Sequence, residues 1–217
     1  MKNILFDLDG TLTDPFVGIC SSVRYSLNKV GIEVESLEVL KPFIGPPLLN
    51  SFMEFYGMNE EEANRAIGRF REYFSKIGIF ENELYEGIDV CLKELKEHGY
   101  RLYICTSKPE VFAKEIVRHF HIDQYFDGVY GSTLENTRTL KAEVIQYCLD
   151  EAGIHKDDCI MVGDRKHDVI GAHTVGMKCI GVLYGHGSLE EFKECHCDYI
   201  VEDVYELKDK IMTNNLS

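Results

Sequence analysis

No window of this 217-residue sequence reaches the roughly 18 consecutive apolar residues of a membrane span, so no membrane partner is expected. Positive charge is scarce as well. Lys and Arg number 23 against 37 Asp and Glu, for a formal charge of −14. Such a surface repels nucleic-acid phosphates, and no basic stripe with interleaved aromatics offsets it. Nucleic acid is therefore excluded as a partner. A small phosphorylated ligand is not, because a bound divalent cation inverts the local field. Internal repeats and low-complexity tracts are absent. Ahead of Asp7 stand one Lys and about three apolar residues, too few for a secretory signal. The eight cysteines, at 20, 91, 105, 148, 159, 179, 195 and 197, mostly lie inside apolar periodic segments. Reduced, buried thiols show that pattern and a disulfide framework does not, so a cytoplasmic protein is expected.

What is present can bury a proper core: 45% of the residues are hydrophobic and 28% charged. The length suits one large domain, or one domain with an insertion. After the apolar run Ile4-Leu5-Phe6, the pattern from about Asp14 to Leu84 is helical. Ile19, Val23, Leu27 and Val30 recur at helical spacing before Gly31. Ser36 is positioned to cap a short helix ending before Pro42. Leu48, Phe52, Phe55 and Tyr56 mark another helix, closed by Gly57. Asn59 with Glu62 resembles a capping box, followed by the stripe Ala63, Ile67, Phe70, Phe74 and Ile77. The Phe70 and Phe74 stripe reads as packing within this block.

From Leu84 onward, helices alternate with short apolar runs at 102–105, 128–130, 160–162, 179–182 and 199–201. Pro109 suits the first turn of the helix that carries Phe112, Ile116 and Phe120. Alternation of this kind predicts an α/β fold with a doubly wound parallel sheet. The domain expectation follows: residues 1–14 and 84–217 form a core, and 15–83 an inserted all-helical domain.

In such sheets ligands bind beyond the carboxyl ends of the strands, so the residues after each apolar run are the informative ones. The first run ends in Asp7-Leu8-Asp9-Gly10. Residues i and i+2 of a strand share a side, so Asp7 and Asp9 crowd like charges, which is costly without a cation or a functional role. Gly10 permits a tight turn. The run 102–105 ends in Thr106-Ser107. The run 160–162 ends in Gly163-Asp164, with Asp168 four residues later, and Lys141 opens the helix after the 128–131 strand. Four separate segments thus bring carboxylates, hydroxyls and a lysine to one sheet edge. Cys195-His196-Cys197 has no partner pair at metal-binding spacing and reads as loop chemistry. Gly181, Gly185 and Gly187 lack the dinucleotide spacing and read as a strand-to-loop exit.

These segments resemble the four motifs of the haloacid-dehalogenase-like hydrolase superfamily. Asp7-Leu-Asp9-Gly-Thr-Leu is similar to the first, Thr106 to the second, Lys141 to the third, and Gly163-Asp164-Arg-Lys-His-Asp168 to the fourth. Lysines of the third motif often precede proline, whereas here Ala142 follows, and Lys108 competes for that role. The helical insert resembles the cap of the subgroup that includes phosphoglycolate phosphatases, pyrophosphatases and nucleotidases. The resemblance implies a Rossmann-like core and a Mg²⁺-dependent phosphatase of a small phosphorylated metabolite, phosphoglycolate-like or a nucleoside monophosphate. It implies Asp7 as nucleophile, Asp9 as acid and base, and Asp7, the Asp9 carbonyl and Asp164 as metal ligands supported by Asp168. Thr106, Ser107, Lys141 and Gly10 would hold the phosphoryl group. A monomer or homodimer fits this reading. A phosphomutase or other phosphotransferase on the same scaffold, and a non-catalytic phosphate-binding regulator, are the alternatives.

The residue types suit such chemistry on charge grounds. A phosphate dianion repels the carboxylate meant to attack it, and Mg²⁺ with one lysine supplies the offsetting positive charge. The loop Phe43-Ile44-Gly45-Pro46-Pro47 is expected to face the core site and shape substrate choice.

Overall fold

The computed structural model describes residues 2–135 and 137–213. Two compact units emerge. One is drawn from the chain up to Asp14 and from Leu84 onward, and the other is Pro15–Glu83.

The first unit is built on six parallel strands: β1 Asn3–Phe6, β2 Arg101–Pro109, β3 Gly128–Ser132, β4 Cys159–Gly163, β5 Cys179–Val182 and β6 Tyr199–Val201. Their order across the sheet is β3-β2-β1-β4-β5-β6, which is the doubly wound arrangement with its reversal at β1. β1 pairs with both β2 and β4, Phe6 lying opposite Ile104 on one side and Val162 on the other. All four residues of β1 are buried, as a strand covered on both faces requires. Leu5, Cys105, Met161, Val169 and Cys179 belong to one apolar cluster that α6 Lys141–Ala152 and α7 Lys166–Thr174 cover. α6 ends at Gly153, whose φ of 61° is the left-handed conformation favourable to glycine. The eight cysteines are free thiols, six buried and two half-buried. No helix among the described residues is long and apolar enough to cross a membrane.

The second unit packs α1 Phe16–Asn28, α2 Leu48–Tyr56 and α3 Glu60–Tyr73 around Leu27, Phe52, Ile67 and Phe70. The Asn59–Glu62 capping box is formed, each side chain satisfying the other residue's amide. Phe70 and Phe74 are buried with rings stacked at 5.2 Å, as packing within the unit requires.

Several local expectations need correction. The helical stripe overruns at Ile77, which is 49% exposed. Phe74–Gly78 closes in a π turn, whose extra residue rotates Ile77 off the buried face. Val30 is likewise exposed because α1 stops at Asn28, ahead of Gly31. Phe55 faces solvent although it stands in the α2 pattern. Ser36 precedes a 3₁₀ helix, Leu37–Phe43, makes no side-chain capping bond, and has Pro42 inside the element it leads. The 102–105 run, which follows α4 Ile88–Glu97, extends through Pro109, and Pro109 precedes α5 Glu110–His119 as its N-cap residue and does not open its first turn.

Candidate active site

The turn after β1 is tight. The amides of Thr11, Leu12 and Thr13 all point at the Leu8 carbonyl, and the Gly10 amide donates to the Thr13 carbonyl at 2.7 Å. Gly10 has φ +84°, which a side chain would strain. The turn leaves Asp7 and Asp9 buried, at 6% and 8% exposure, at the carboxyl end of the central strand. The Asp7 amide donates to the Val162 carbonyl of β4, fixing the backbone from which its carboxylate projects.

Lys141 is the first residue of α6, and its ammonium is enclosed by Asp7 Oδ1 at 2.8 Å, Asp168 Oδ1 at 2.8 Å and the Cys105 carbonyl at 3.0 Å. Burial alone would favour the neutral amine, but Asp168 and Asp7 outweigh it and hold the lysine charged above its ordinary range. Asp168 divides its oxygens. Oδ2 accepts the Arg165 amide in the first turn of α7, while Oδ1 faces Lys141. One side chain thus both caps the helix and pairs with Lys141.

Lys108 serves a different carboxylate. Its ammonium meets Asp9 Oδ2 at 2.5 Å, and both side chains are largely buried. The β2–β3 register runs evenly to Thr106↔Gly131 and then jumps to Pro109↔Ser132, so Ser107 and Lys108 form a bulge. Bulges re-aim side chains at strand ends, and this one turns Lys108 toward Asp9. The two lysines that compete in the sequence reading both reach the acidic cluster, Lys141 at Asp7 and Asp168 and Lys108 at Asp9. Thr106 is buried, and its hydroxyl accepts the Lys108 amide at 3.2 Å without reaching α5. Ser107 beside it is half-buried, its carbonyl accepting the Ser132 hydroxyl at 2.8 Å.

Asp164 follows β4 and is 1% exposed. Its Oδ2 accepts the His186 amide at 2.9 Å, but Oδ1 finds no hydrogen-bond partner among the described residues. Burial first, then Asp168 and Asp7, pushes its carboxyl well above the usual range. Burial likewise raises Asp168, to about 6 even with Lys141 beside it. One oxygen each from Asp7, Asp164 and Asp168 lie within 4.8 Å of one another. Four buried carboxylates against two ammonium groups leave a formal charge of −2. An orphaned buried oxygen in a hard, all-oxygen, doubly negative site is the donor set a Mg²⁺ ion requires.

The structure also brings in residues that the sequence motifs leave out. Tyr184 donates its hydroxyl to the Thr11 carbonyl at 3.0 Å and packs edge-on against Tyr85 at 5.0 Å. His186 lies 3.3 Å from Asp14 through its ring and meets Asp164 through its amide. The Gly185–Gly187 segment, beyond marking a loop exit, lies against Asp164. Cys195 and Cys197 spend their thiols on backbone carbonyls of Phe192, Cys179 and Tyr199. Among the described residues no cluster of three metal-binding side chains other than the Asp7 group is present.

Comparison with known proteins agrees with this fold. The model of the haloacid dehalogenase-like hydrolase family matches residues 4–182. A 5'-nucleotidase of Pseudomonas aeruginosa is 50% identical over 191 residues, which is 88% of this chain and 86% of that protein. The crystal structure of a predicted phosphatase from Clostridium acetobutylicum aligns with a TM-score of 0.96 at 50% identity, covering 98% of each chain. Tyrosine-protein kinase PtkA of Mycobacterium tuberculosis is 38% identical over 184 residues, 85% of this chain, which spans 62% of that longer protein. With the match covering most of its length, and with the motif residues gathered at the carboxyl edge of a doubly wound sheet, this chain belongs to the haloacid dehalogenase-like hydrolases.

Proposed function

We propose that the protein is a Mg²⁺-dependent phosphomonoesterase that works through a phosphoryl group carried on Asp7. The observation that carries this reading is the Asp7–Lys141–Asp168–Asp164 constellation, in which Asp164 keeps one buried oxygen without a hydrogen bond. Asp7 attacks phosphorus, forming one P–O bond as the ester P–O bond breaks. Asp9 gives a proton to the departing alkoxide and then takes one from the water that cleaves the acyl phosphate. Lys141 balances Asp7 and the transferring oxygens, and its three fixed partners hold it in place throughout. Thr106, Ser107 and the backbone at Gly10 are the candidate donors to the phosphoryl oxygens. Mg²⁺, held by Asp7, the Asp9 carbonyl and Asp164, would offset the charge on the phosphoryl group when bound.

A nucleoside monophosphate is the favoured substrate, since a 5'-nucleotidase is 50% identical across most of this chain. A phosphoglycolate-like acid is the alternative. Transfer of the phosphoryl group to a hydroxyl in place of water is the rival reaction, and the likeness to a kinase is what favours it. Pro15–Glu83 acts in this reading as a cap that excludes water, with the Phe43–Pro47 loop shaping substrate choice. Phe43 itself packs on Phe52 and Phe55 within that unit, so the half-buried Gly45, Pro46 and Pro47 are the part of the loop left for this task.

The test is release of inorganic phosphate from nucleoside monophosphates and from nitrophenyl phosphate, with and without chelator. Turnover lost on chelation and restored by Mg²⁺ is expected. Turnover that survives chelation contradicts the reading, and transfer to a sugar hydroxyl without free phosphate favours the rival. Binding should also show in stability. At about 100 times its Kd, a cation contributes about 2.7 kcal/mol. For a chain of this size that raises the midpoint of thermal unfolding by roughly 5–10 °C. Asp164→Asn should lose most of that rise.

A further inference from the structure

Asp164 leaves the sheet with one carboxylate oxygen free, so something else must fix which way that oxygen points. The Gly10 turn backs the carboxylate, a Cβ there lying 2.1 Å from Asp164 Oδ2, and three further contacts come from one short segment, Tyr184-Gly185-His186-Gly187. The His186 amide donates to Asp164 Oδ2 at 2.9 Å. A Cβ on Gly185 would lie 2.4 Å from Asp164 Cβ and 2.2 Å from the Gly10 carbonyl. A Cβ on Gly187 would lie 1.9 Å from the Asp164 carbonyl. Neither Gly185 nor Gly187 adopts a positive φ, so backbone conformation does not demand glycine at either position. The demand is for space. The far end of the segment is tied back when Tyr184 donates its hydroxyl to the Thr11 carbonyl, inside the turn that carries Asp7 and Asp9.

We infer that Tyr184–Gly187 is a positioning clamp for Asp164 that sets the affinity of the site for its divalent cation. The clamp consumes Oδ2 and presses the Asp164 backbone into register, which leaves Oδ1 as the oxygen without a hydrogen bond. Outer contacts of this kind commonly control metal affinity by about 10- to 100-fold. The inference rests on the reading that Asp164 holds the cation. It adds that a loop after β5, outside the acidic motifs, shares with Gly10 in fixing the ligand's orientation.

The experiment is direct binding of Mn²⁺ to the intact protein, followed by electron paramagnetic resonance, with no substrate present. Gly185→Ala and Gly187→Ala should each raise the Mn²⁺ Kd by about 10- to 100-fold. Turnover at saturating Mn²⁺ should recover most of the wild-type value. Gly68→Ala, with nothing within 4 Å of its added Cβ, is the control and should leave Kd within about twofold. Folded Gly185→Ala and Gly187→Ala variants that bind Mn²⁺ like wild type would overturn the clamp. Should both variants fail to fold, the wild-type His186 amide resonance decides during a Mg²⁺ titration. A shift that saturates with the cation supports the clamp. A stationary His186 amide, while the Leu8 amide on Asp7 moves, overturns it. Wild type that binds no Mn²⁺, or Asp164→Asn that binds it equally well, would remove the underlying reading and the clamp with it.

Discussion

Asp7→Asn is expected to cost roughly 10⁴-fold or more in turnover of nitrophenyl phosphate, with no loss of thermal stability. The amide is nearly isosteric and can still accept the Leu8 amide through its oxygen, as Asp7 Oδ1 does at 2.8 Å. The Asp7 backbone bond to Val162 is untouched. What disappears is the anionic oxygen that attacks phosphorus in the proposed mechanism, and Asp168, also 2.8 Å from Lys141, projects from α7 and not from the end of β1. The substitution also removes one negative charge from a site crowded with carboxylates, so the unfolding midpoint should hold steady or rise. Turnover within tenfold of wild type, in a folded variant, would assign the nucleophile elsewhere.

Lys141→Met is the second large effect, and it should strike stability and activity together. Met fills a similar volume but supplies no charge to Asp7, Asp168 or the Cys105 carbonyl. Removing one partner of a buried ionic network leaves uncompensated charge and costs about 3–5 kcal/mol. Activity should fall about 10²- to 10³-fold, since the transferring group loses its fixed cation. The pH dependence carries a sign. Asp168 is already raised to about 6 in the intact network, chiefly by burial. A carboxyl with a raised folded-state pKa stabilises when protonated, and that contribution is lost as pH rises through the folded pKa. Without the ammonium the Asp168 carboxyl is raised further, so the stability deficit of Lys141→Met should narrow as pH falls toward about 6 and level off below it. Chemical denaturation across pH would show this. A deficit independent of pH would mean that Lys141 contributes packing alone.

The parts of this site that could be read in the sequence share a cause. Asp7, Thr106 and Asp164 each stand one or two residues past an apolar run, and a parallel sheet brings all such positions to one edge. Lys141 was legible because it opens a periodic helix after the next strand. Whether Lys141 or Lys108 served the site could not be decided from spacing. Lys108 reaches Asp9 through a two-residue slip in register, which depends on the neighbouring strand and leaves no periodic trace. The contribution of Gly185–Gly187 was illegible for another reason. It is made by a backbone amide and by the absence of side chains, so the residue letters announce a loop and nothing more. In the second unit, Ile77 obeys the helical period yet faces solvent, because one π turn breaks the rotation on which the period relies.

The most direct measurement uses Asp9→Asn and an aryl phosphate. Nitrophenolate is a good leaving group and departs without a proton, so the first step needs little from Asp9. The second step needs a base to activate water, and asparagine cannot supply one. After mixing, acid quenching and mass analysis, the variant should carry one phosphoryl group per chain, located on the peptide containing Asp7, with a burst of nitrophenolate of equal size. A variant that turns over steadily with no such adduct, or that carries it on any other residue, would contradict the account.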